Sequence, residues 1–394
     1  MKTGITILTV LLLSTGLTFA GDTITKEFDV KPGQMLGADI ESGGTIFIKG
    51  WDSDKVSVKV YLDGRDWENV EVEFDQGKRG VEIYSDFAKK RNRSRVDIEF
   101  EIRVPEKFDL NIETAGGSIN IENVEGEILG KTMGGKLDLD NLKGDIELTT
   151  MGGKIKASQL NGDLYLKTFG GNIYLHDSTV DGEIQTMGGN IQLSGVDGDI
   201  ESSTMGGNVS YEDVSIRSGN NRNEAVHITT KGGNIDVDEA PFGADVHTYG
   251  GDITIKSAGR FVKAKTMGGD IEILEVDGQV DAVTMGGDVS VRMTGDPKTG
   301  KRNVEISSKG GDIELVLPKD ISAEFDIELA VTKKHYDDYK IISDFDLQIE
   351  QSDDWDYSHG TARKYIYGTG SAHSGDNKIH IETINGDIEI IKGD

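Results

Sequence analysis

The sequence predicts an all-β chain, a parallel β-solenoid (β-helix) with coils of about 18 residues and a β cap at each end. Three observations carry that prediction. Eleven Gly-Gly pairs begin at Gly116, Gly134, Gly152, Gly170, Gly188, Gly206, Gly232, Gly250, Gly268, Gly286 and Gly310, and eight of the ten gaps between them are 18 residues. Apolar and polar residues alternate on both sides of each pair. In 144–157, Ile146, Leu148 and Thr150 alternate with Asp145, Glu147 and Thr149, and Ile155 and Ala157 alternate with Lys154 and Lys156. A further glycine often follows ten residues on, at Gly126, Gly144, Gly162, Gly198 and Gly278. Alternating runs of about five residues bounded by glycine read as half-buried strands, and the same period and glycine frequency exclude a helix. One unit is strand, turn, strand, turn, too small to bury its own apolar face, so units must stack. At about 4.8 Å between neighbouring strands, eleven units make a rod roughly 50 Å long.

Taken in order, residues 1–20 (MKTGITILTVLLLSTGLTFA) read as a secretory signal peptide: Lys2, an apolar run, and small residues before a cleavage edge at Ala20. The apolar run falls short of the ~20 residues a spanning helix needs, so the mature chain is expected to be periplasmic, extracellular or at the cell surface, without a transmembrane segment. Residues 21–105 carry longer alternating strands and read as an N-terminal β cap, with the pair Gly43-Gly44 standing apart from the regular series. Within them, residues 89–95 form the one dense basic run, either a solvated hairpin loop or a site for phosphate or anionic glycan. Residues 106–317 are the solenoid. Its two long gaps hold extra residues at 217–224 and 294–303, and a third unit moves its inner glycine to Gly182 beside the polar stretch 176–181. All three irregularities fall at one register, on the edge opposite the Gly-Gly pairs, as tolerated insertions or as a binding edge. Residues 318–394 read as a C-terminal cap region that ends by re-entering the repeat at Thr383-Ile384-Asn385-Gly386-Asp387-Ile388.

Composition narrows the function classes. Glycine numbers 52 of 394 residues, proline 5, and cysteine is absent, which excludes a disulfide scaffold, a thiolate metal site and a cysteine nucleophile. Lys plus Arg number 42 against 70 for Asp plus Glu, a net charge of −28, which disfavours nucleic acid as a partner.

Parity assigns the faces. Thr114, Thr132, Thr150, Thr168, Thr186, Thr204, Thr230, Thr248, Thr266, Thr284 and Ser308 share parity with the apolar positions and form an inward hydroxyl column, bonding along the stack or to the corner backbone. The next residue then points outward: Met133, Met151, Phe169, Met187, Met205, Tyr249, Met267 and Met285, interrupted by Lys231 and bounded by Ala115 and Lys309. This stripe is the sharpest candidate site. Either it is an interaction surface, for self-association or an envelope partner, or each side chain merely shields its glycine corner.

Chemistry has little purchase elsewhere. The seven histidines are scattered, and no G-x-S-x-G, H-E-x-x-H or phosphate loop is present, so no catalytic, cofactor-binding or metal residue is assigned. A β-helical polysaccharide-active enzyme is the enzymatic alternative, since two carboxylates suffice for glycoside hydrolysis. After each Gly-Gly stands a column of Asn172, Asn190, Asn208 and Asn234, then Asp252, Asp270, Asp288 and Asp312. As turn residues these accept corner N–H bonds. A calcium column is the competing reading, but the glycine of the calcium nonapeptide is replaced here by Ile253, Ile271 and Val289.

The leader, the SGGTIFIKGWD segment at 42–52, the reiterated T-x-G-G-[ND]-I units and the closing TINGDIEI together resemble the bacterial "putative-adhesin" family of β-strand-repeat proteins. The resemblance spans essentially the whole mature chain. It implies a β-helical, exported, non-catalytic, adhesin-like protein and brings no catalytic residue with it. The expectation is therefore a structural or surface-binding β-solenoid, with a carbohydrate-active β-helix as the alternative.

Overall fold

The computed structural model describes residues 21–89, 95–215, 225–335, 338–358 and 360–393. The leader at 1–20, residues 90–94 of the basic run and the insertion at 217–224 lie outside the described residues. The described chain is all-β, with 31 strands joined in one sheet and two single 3-10 turns, Trp67–Asn69 and Lys333–His335.

Strands 18 residues apart pair in parallel and in register. Ile128–Thr132 lies against Leu137–Thr150 with Ile128 opposite Ile146 and Thr132 opposite Thr150. That strand in turn sets Ile146 opposite Leu164 and Thr150 opposite Thr168 in Asn161–Thr168. On the other side of each Gly-Gly corner, Ile155–Ser158 lies between Leu137–Thr150 and Ile173–Thr186. Two faces result. The first comprises strands that enter the Gly-Gly corner, the second those that leave it. Inward residues of both faces meet in one continuous apolar core. Leu137, Leu148, Ile155, Leu166, Ile173 and Ile184 are each fully buried. Branched side chains at every second position suit this pleat, because each packs against its own equivalent one coil away.

The register survives the long gaps. Thr230 and Asn234 take the next positions after Thr204 and Asn208 in spite of the 26-residue spacing. In the unit with the displaced glycine, Val180 sits opposite Gly162 and Gly182 opposite Leu164. Val180 is buried and the glycine has φ +146°, so small and large residues have exchanged places without changing the length of the coil.

The ends depart from chain order. Met35–Ile40 pairs in parallel with both Gly80–Phe87 and Asp109–Thr114, and Thr45–Trp51 with both Asp97–Pro105 and Ile119–Glu125. The chain therefore builds the unit 35–51, moves outward through 55–105, and returns past that unit to continue the stack. Gly43-Gly44, set apart in the sequence, thus lies directly on the Gly116-Gly117 corner: a Cβ on Gly117 would collide with the Gly44 carbonyl. At the other end, Asn377–Ile384 and Ile388–Lys392 slot between Val304–Ser307 and Ile313–Leu317 on one side and Ala323–Thr332 and Ile341–Ser343 on the other. Beyond these inserted units the strands turn antiparallel, as in Gly21–Asp29 with Lys55–Asp63 and Ala323–Thr332 with Arg363–Ala372.

Arg302 ties the second inserted unit in place. Its side chain is fully buried, its guanidinium donates to Asp277 and to the carbonyls of Thr294 and Thr299, and its backbone N–H donates to Asn377 Oδ1 at 2.8 Å.

Candidate functional site

The Gly-Gly edge is built by a repeating hydrogen-bond device. Thr150 Oγ1 donates to the carbonyl of Gly135 at 2.7 Å and accepts from the N–H of Gly153 at 3.2 Å. The same pair of bonds recurs at Thr132, Thr168, Thr186, Thr204, Thr230, Thr248, Thr266, Thr284 and Ser308. Each hydroxyl therefore clamps the corner to its neighbour and closes its own turn. Thr114 breaks the pattern: its buried Oγ1 has no hydrogen-bond partner. The coil next to it supplies Gly44 at φ +129°, a backbone conformation unlike that of the Gly-Gly corners that follow.

The two glycines of a pair have different work. A Cβ on the second, such as Gly153, would fall on the carbonyl of Gly135, whereas a Cβ on Gly152 would meet Gly134 O at 4.0 Å. Close approach between coils, rather than positive φ, is what requires glycine here. Positive φ is used at the opposite edge, where Asn123, Asn141, Gln159, Asp177, Gly195 and Asp213 form a left-handed column with φ of 50–61°. That column escapes a search centred on glycine. Its sequence signal is Asn, Asp or Gly at five of six positions spaced by 18, residues that tolerate the left-handed region better than others, with Gln159 the exception.

After each Gly-Gly, the Asn/Asp column forms a ladder. Asn172 Oδ1 accepts from the N–H of Asn190 at 2.9 Å, Asn190 Oδ1 from Asn208 at 2.9 Å, and the series continues through Asp252, Asp270, Asp288 and Asp312 to Asp387. The side chains thus accept corner N–H bonds from the neighbouring coil, and one oxygen of each aspartate in the run is already committed. No group of acidic and histidine side chains among the described residues has the arrangement of a metal site.

With the corner held in this way, the residue between Thr and Gly-Gly projects outward. Met133 is 55 % exposed, Met151 43 %, Phe169 40 %, Met187 44 %, Met205 43 %, Tyr249 48 %, Met267 49 % and Met285 46 %. All eight predicted positions stand on one edge, one per coil, with Lys231 exposed among them. Glycine on the C-terminal side of each leaves the ridge without taller neighbours. Lys167 Nζ lies 5.7 Å from the Phe169 ring centroid, a cation–π contact at the margin of the stripe.

A second feature lies on the first face, between the left-handed column and the stripe. An open groove of about 740 Å³ is floored by Ile146, Leu164 and Gly182, with Tyr165 on one side. Carboxylates at Glu127, Asp145, Asp163, Asp181 and Asp199 form one bank, and Glu147, Glu183 and Glu201 the other, with His227 at the end. The relocation of Gly182 helps open it, because Leu164 and Ile200 occupy the equivalent position in the adjoining coils. In-register carboxylates such as Asp145 and Asp163 belong to strands about 4.8 Å apart.

Burial perturbs two further groups, one of them beneath the Asp199–Glu201 end of the groove. Burial pushes the Tyr211 hydroxyl far up; it donates to the carbonyl of Ile200 and shares a 2.8 Å hydrogen bond with the Ser202 hydroxyl. Burial also raises the Asp236 carboxyl, with Lys256 opposing and Asp238 and Asp252 reinforcing the rise. No helix among the described residues is long and apolar enough to cross a membrane.

Solved structures similar to this chain include a "putative cell adhesion protein" from Clostridium sporogenes, 11 % identical, with 94 % of this chain and 100 % of that one covered at a TM-score of 0.18. A "putative adhesin" from Bacteroides fragilis is 17 % identical over 75 % of this chain and 97 % of that one, TM-score 0.28. A "putative lipid binding protein" from Parabacteroides distasonis is 14 % identical over 75 % and 97 %, TM-score 0.24. The comparison with curated proteins gives no match. Residues 197–391, which carry the later Gly-Gly units and the closing TINGDIEI, match the family model described as Toastrack DUF4097.

Proposed function

We propose that this chain is an exported, non-catalytic β-solenoid, capped at both ends by its antiparallel strands, that works as an adhesin-like structural or surface-binding protein. The observation that carries the reading is the edge stripe: eight large apolar side chains, each about half exposed, on a backbone clamped at every coil. An apolar ridge of this length, interrupted at Lys231, is a surface for association, and methionine adapts to an irregular partner. The test is to replace Met151, Phe169 and Met187 by Ser. Circular dichroism and Tm should be nearly unchanged, because these side chains lie outside the core, while self-association and binding to cell-envelope preparations should fall at least several-fold. Unchanged binding and sedimentation would assign the side chains to shielding the corners.

A second reading, a carbohydrate-active β-helix, is favoured by the groove beside Tyr165. Its stacked carboxylates recur at a strand spacing near the ~5 Å that separates the acid and nucleophile of retaining glycosidases. Release of reducing ends from acidic or neutral polysaccharides, abolished in Asp145→Asn or Asp163→Asn, would establish it.

A further inference from the structure

We infer that the stripe pairs two copies of this chain edge to edge, antiparallel, about a two-fold axis through Met205. The inference rests on the proposal that the stripe is a binding surface and names its occupant.

The column immediately beyond the glycines changes charge along the rod. It runs from Lys136 and Lys154 through Asn172, Asn190, Asn208 and Asn234 to Asp252, Asp270, Asp288 and Asp312, in the order in which the coils stack. One end of the ridge is thus rimmed by ammonium groups and the other by carboxylates, with neutral amides in the middle. A surface with such a gradient is complementary to its own reverse. With like faces on the same side and the two rods antiparallel, Lys154 of one copy faces Asp270 of the other, and Lys136 faces Asp288. Each pair occurs twice. The groups are available. Lys154 makes no ion pair among the described residues, Lys136 has only an exposed contact with Asp138 at 3.2 Å, and Asp270 and Asp288 are exposed beyond the one oxygen each gives to the ladder. A parallel arrangement instead sets Lys136 beside Lys131 of the other copy.

The gradient sets the direction, and full overlap of the ridge sets the register. From Ala115 to Lys309 there are eleven levels, and Met205 is the sixth. Centring there places Met205 on Met205, Phe169 on Tyr249, Met151 on Met267 and Met133 on Met285. The column on the opposite flank (Glu113, Lys131, Thr149, Lys167, Gln185, Ser203, Thr229, His247, Lys265, Val283 and Ser307) has one carboxylate, Glu113, which is paired with Lys131 and in the antiparallel register faces Ser307 of the other copy. A ridge roughly 50 Å long and ~10 Å wide buries on the order of 1,000 Å² in total, the size of a weak or transient interface. The expected dimer is micromolar and loosened by salt, because its ion pairs sit at the rim and the net charge of −28 opposes it.

The chain contains no cysteine, so single cysteines report the geometry directly. Met205→Cys in the chain from residue 21 should oxidise to a disulfide-linked dimer. Met133→Cys alone should not, but mixed with Met285→Cys it should cross-link. Sedimentation velocity from 1 to 200 μM should show a monomer–dimer equilibrium weakened tenfold or more by Lys136→Glu with Lys154→Glu, and restored when Asp270→Lys and Asp288→Lys are added. Lysine is already accommodated in this column at 136 and 154, and Tm confirms folding of each variant. Cross-linking of Met133→Cys with itself as readily as Met205→Cys, or a monomer throughout the range, overturns the inference. If the chain is monomeric yet Ser replacement of Met151, Phe169 and Met187 still abolishes envelope binding, the stripe remains a binding surface with a different occupant. If both assays are negative, the surface reading falls as well.

Discussion

Thr150 Oγ1 donates to the Gly135 carbonyl at 2.7 Å while accepting from Gly153 N–H at 3.2 Å, so one buried hydroxyl holds two coils and one turn. Thr150→Val removes both bonds and leaves a half-buried carbonyl and a half-buried N–H unpaired, at a cost of about 1–2 kcal/mol in denaturant unfolding. Thr114 has the same burial and no partner. Thr114→Val should therefore be neutral or stabilising, and the contrast between the two variants isolates the hydrogen bonds from the methyl packing.

The glycines of one corner should separate equally well. Gly153→Ala forces its methyl onto the Gly135 carbonyl, which only a backbone shift between coils can relieve. We expect a loss of about 3 kcal/mol or more, within the range of severe overpacking. Gly152→Ala, with its nearest neighbour at 4.0 Å, should change Tm by no more than a degree or two.

Asp236 gives a pH signature. Desolvation raises its carboxyl in the folded chain above the ordinary value of 3.8, so the folded state binds the proton more tightly than the unfolded state. Stability contributed by this group is then present at acid pH and declines as pH rises through the raised folded value. Asp236→Asn should raise Tm slightly at pH 7, and the advantage over the parent should vanish when both are compared at pH 3. An equal advantage at both values would place the effect elsewhere.

Arg302 is buried with its guanidinium spread over Asp277 and two carbonyls while its backbone holds Asn377. Arg302→Met takes the guanidinium donor from the Thr294 and Thr299 carbonyls and releases the exposed Asp277 carboxylate, which loosens the 294–303 insertion. Because Asp277 stays solvated, the cost falls on the unpaired carbonyls, about 1–3 kcal/mol. Hydrogen exchange should rise first in 377–392, the inserted unit that Asn377 begins, and only later in the coils around 150. Uniform protection across both regions would remove Arg302 from that role.

The repeat itself was legible because stacked coils demand the same residue at the same position. An 18-residue period, the parity of Thr150 with Ile146 and Leu148, and the outward phase of Met151 all follow from one-dimensional spacing. The hydroxyl column and the Asn/Asp column were legible as columns, but their partners were not. Asn190 accepts nothing from its own turn, and its acceptor serves the next coil, so the bond exists only once the coils are in register. The unit 35–51 escaped the search because 73 residues separate Gly43 from Gly116, and chain spacing is no guide where the chain leaves the stack and returns. Its SGGTIFI pattern was the available signal. The groove escaped for a different reason: acidic residues are abundant everywhere in this chain, and only the exchange of Val180 and Gly182 distinguishes that stretch.

By itself, then, the sequence determined the all-β class, the length of the coil, which residues face the core and which line the exposed edge. These are local consequences of alternation and of glycine spacing. Tertiary structure alone decided that the units 35–51 and 377–392 are inserted out of chain order, that the second glycine of each pair is required by carbonyl contact with its neighbour, and that the lysine and aspartate ends of one column lie along a single ridge. Each of those depends on which backbone lies against which, a relation that parallel hydrogen bonding between distant segments creates and that no local pattern encodes.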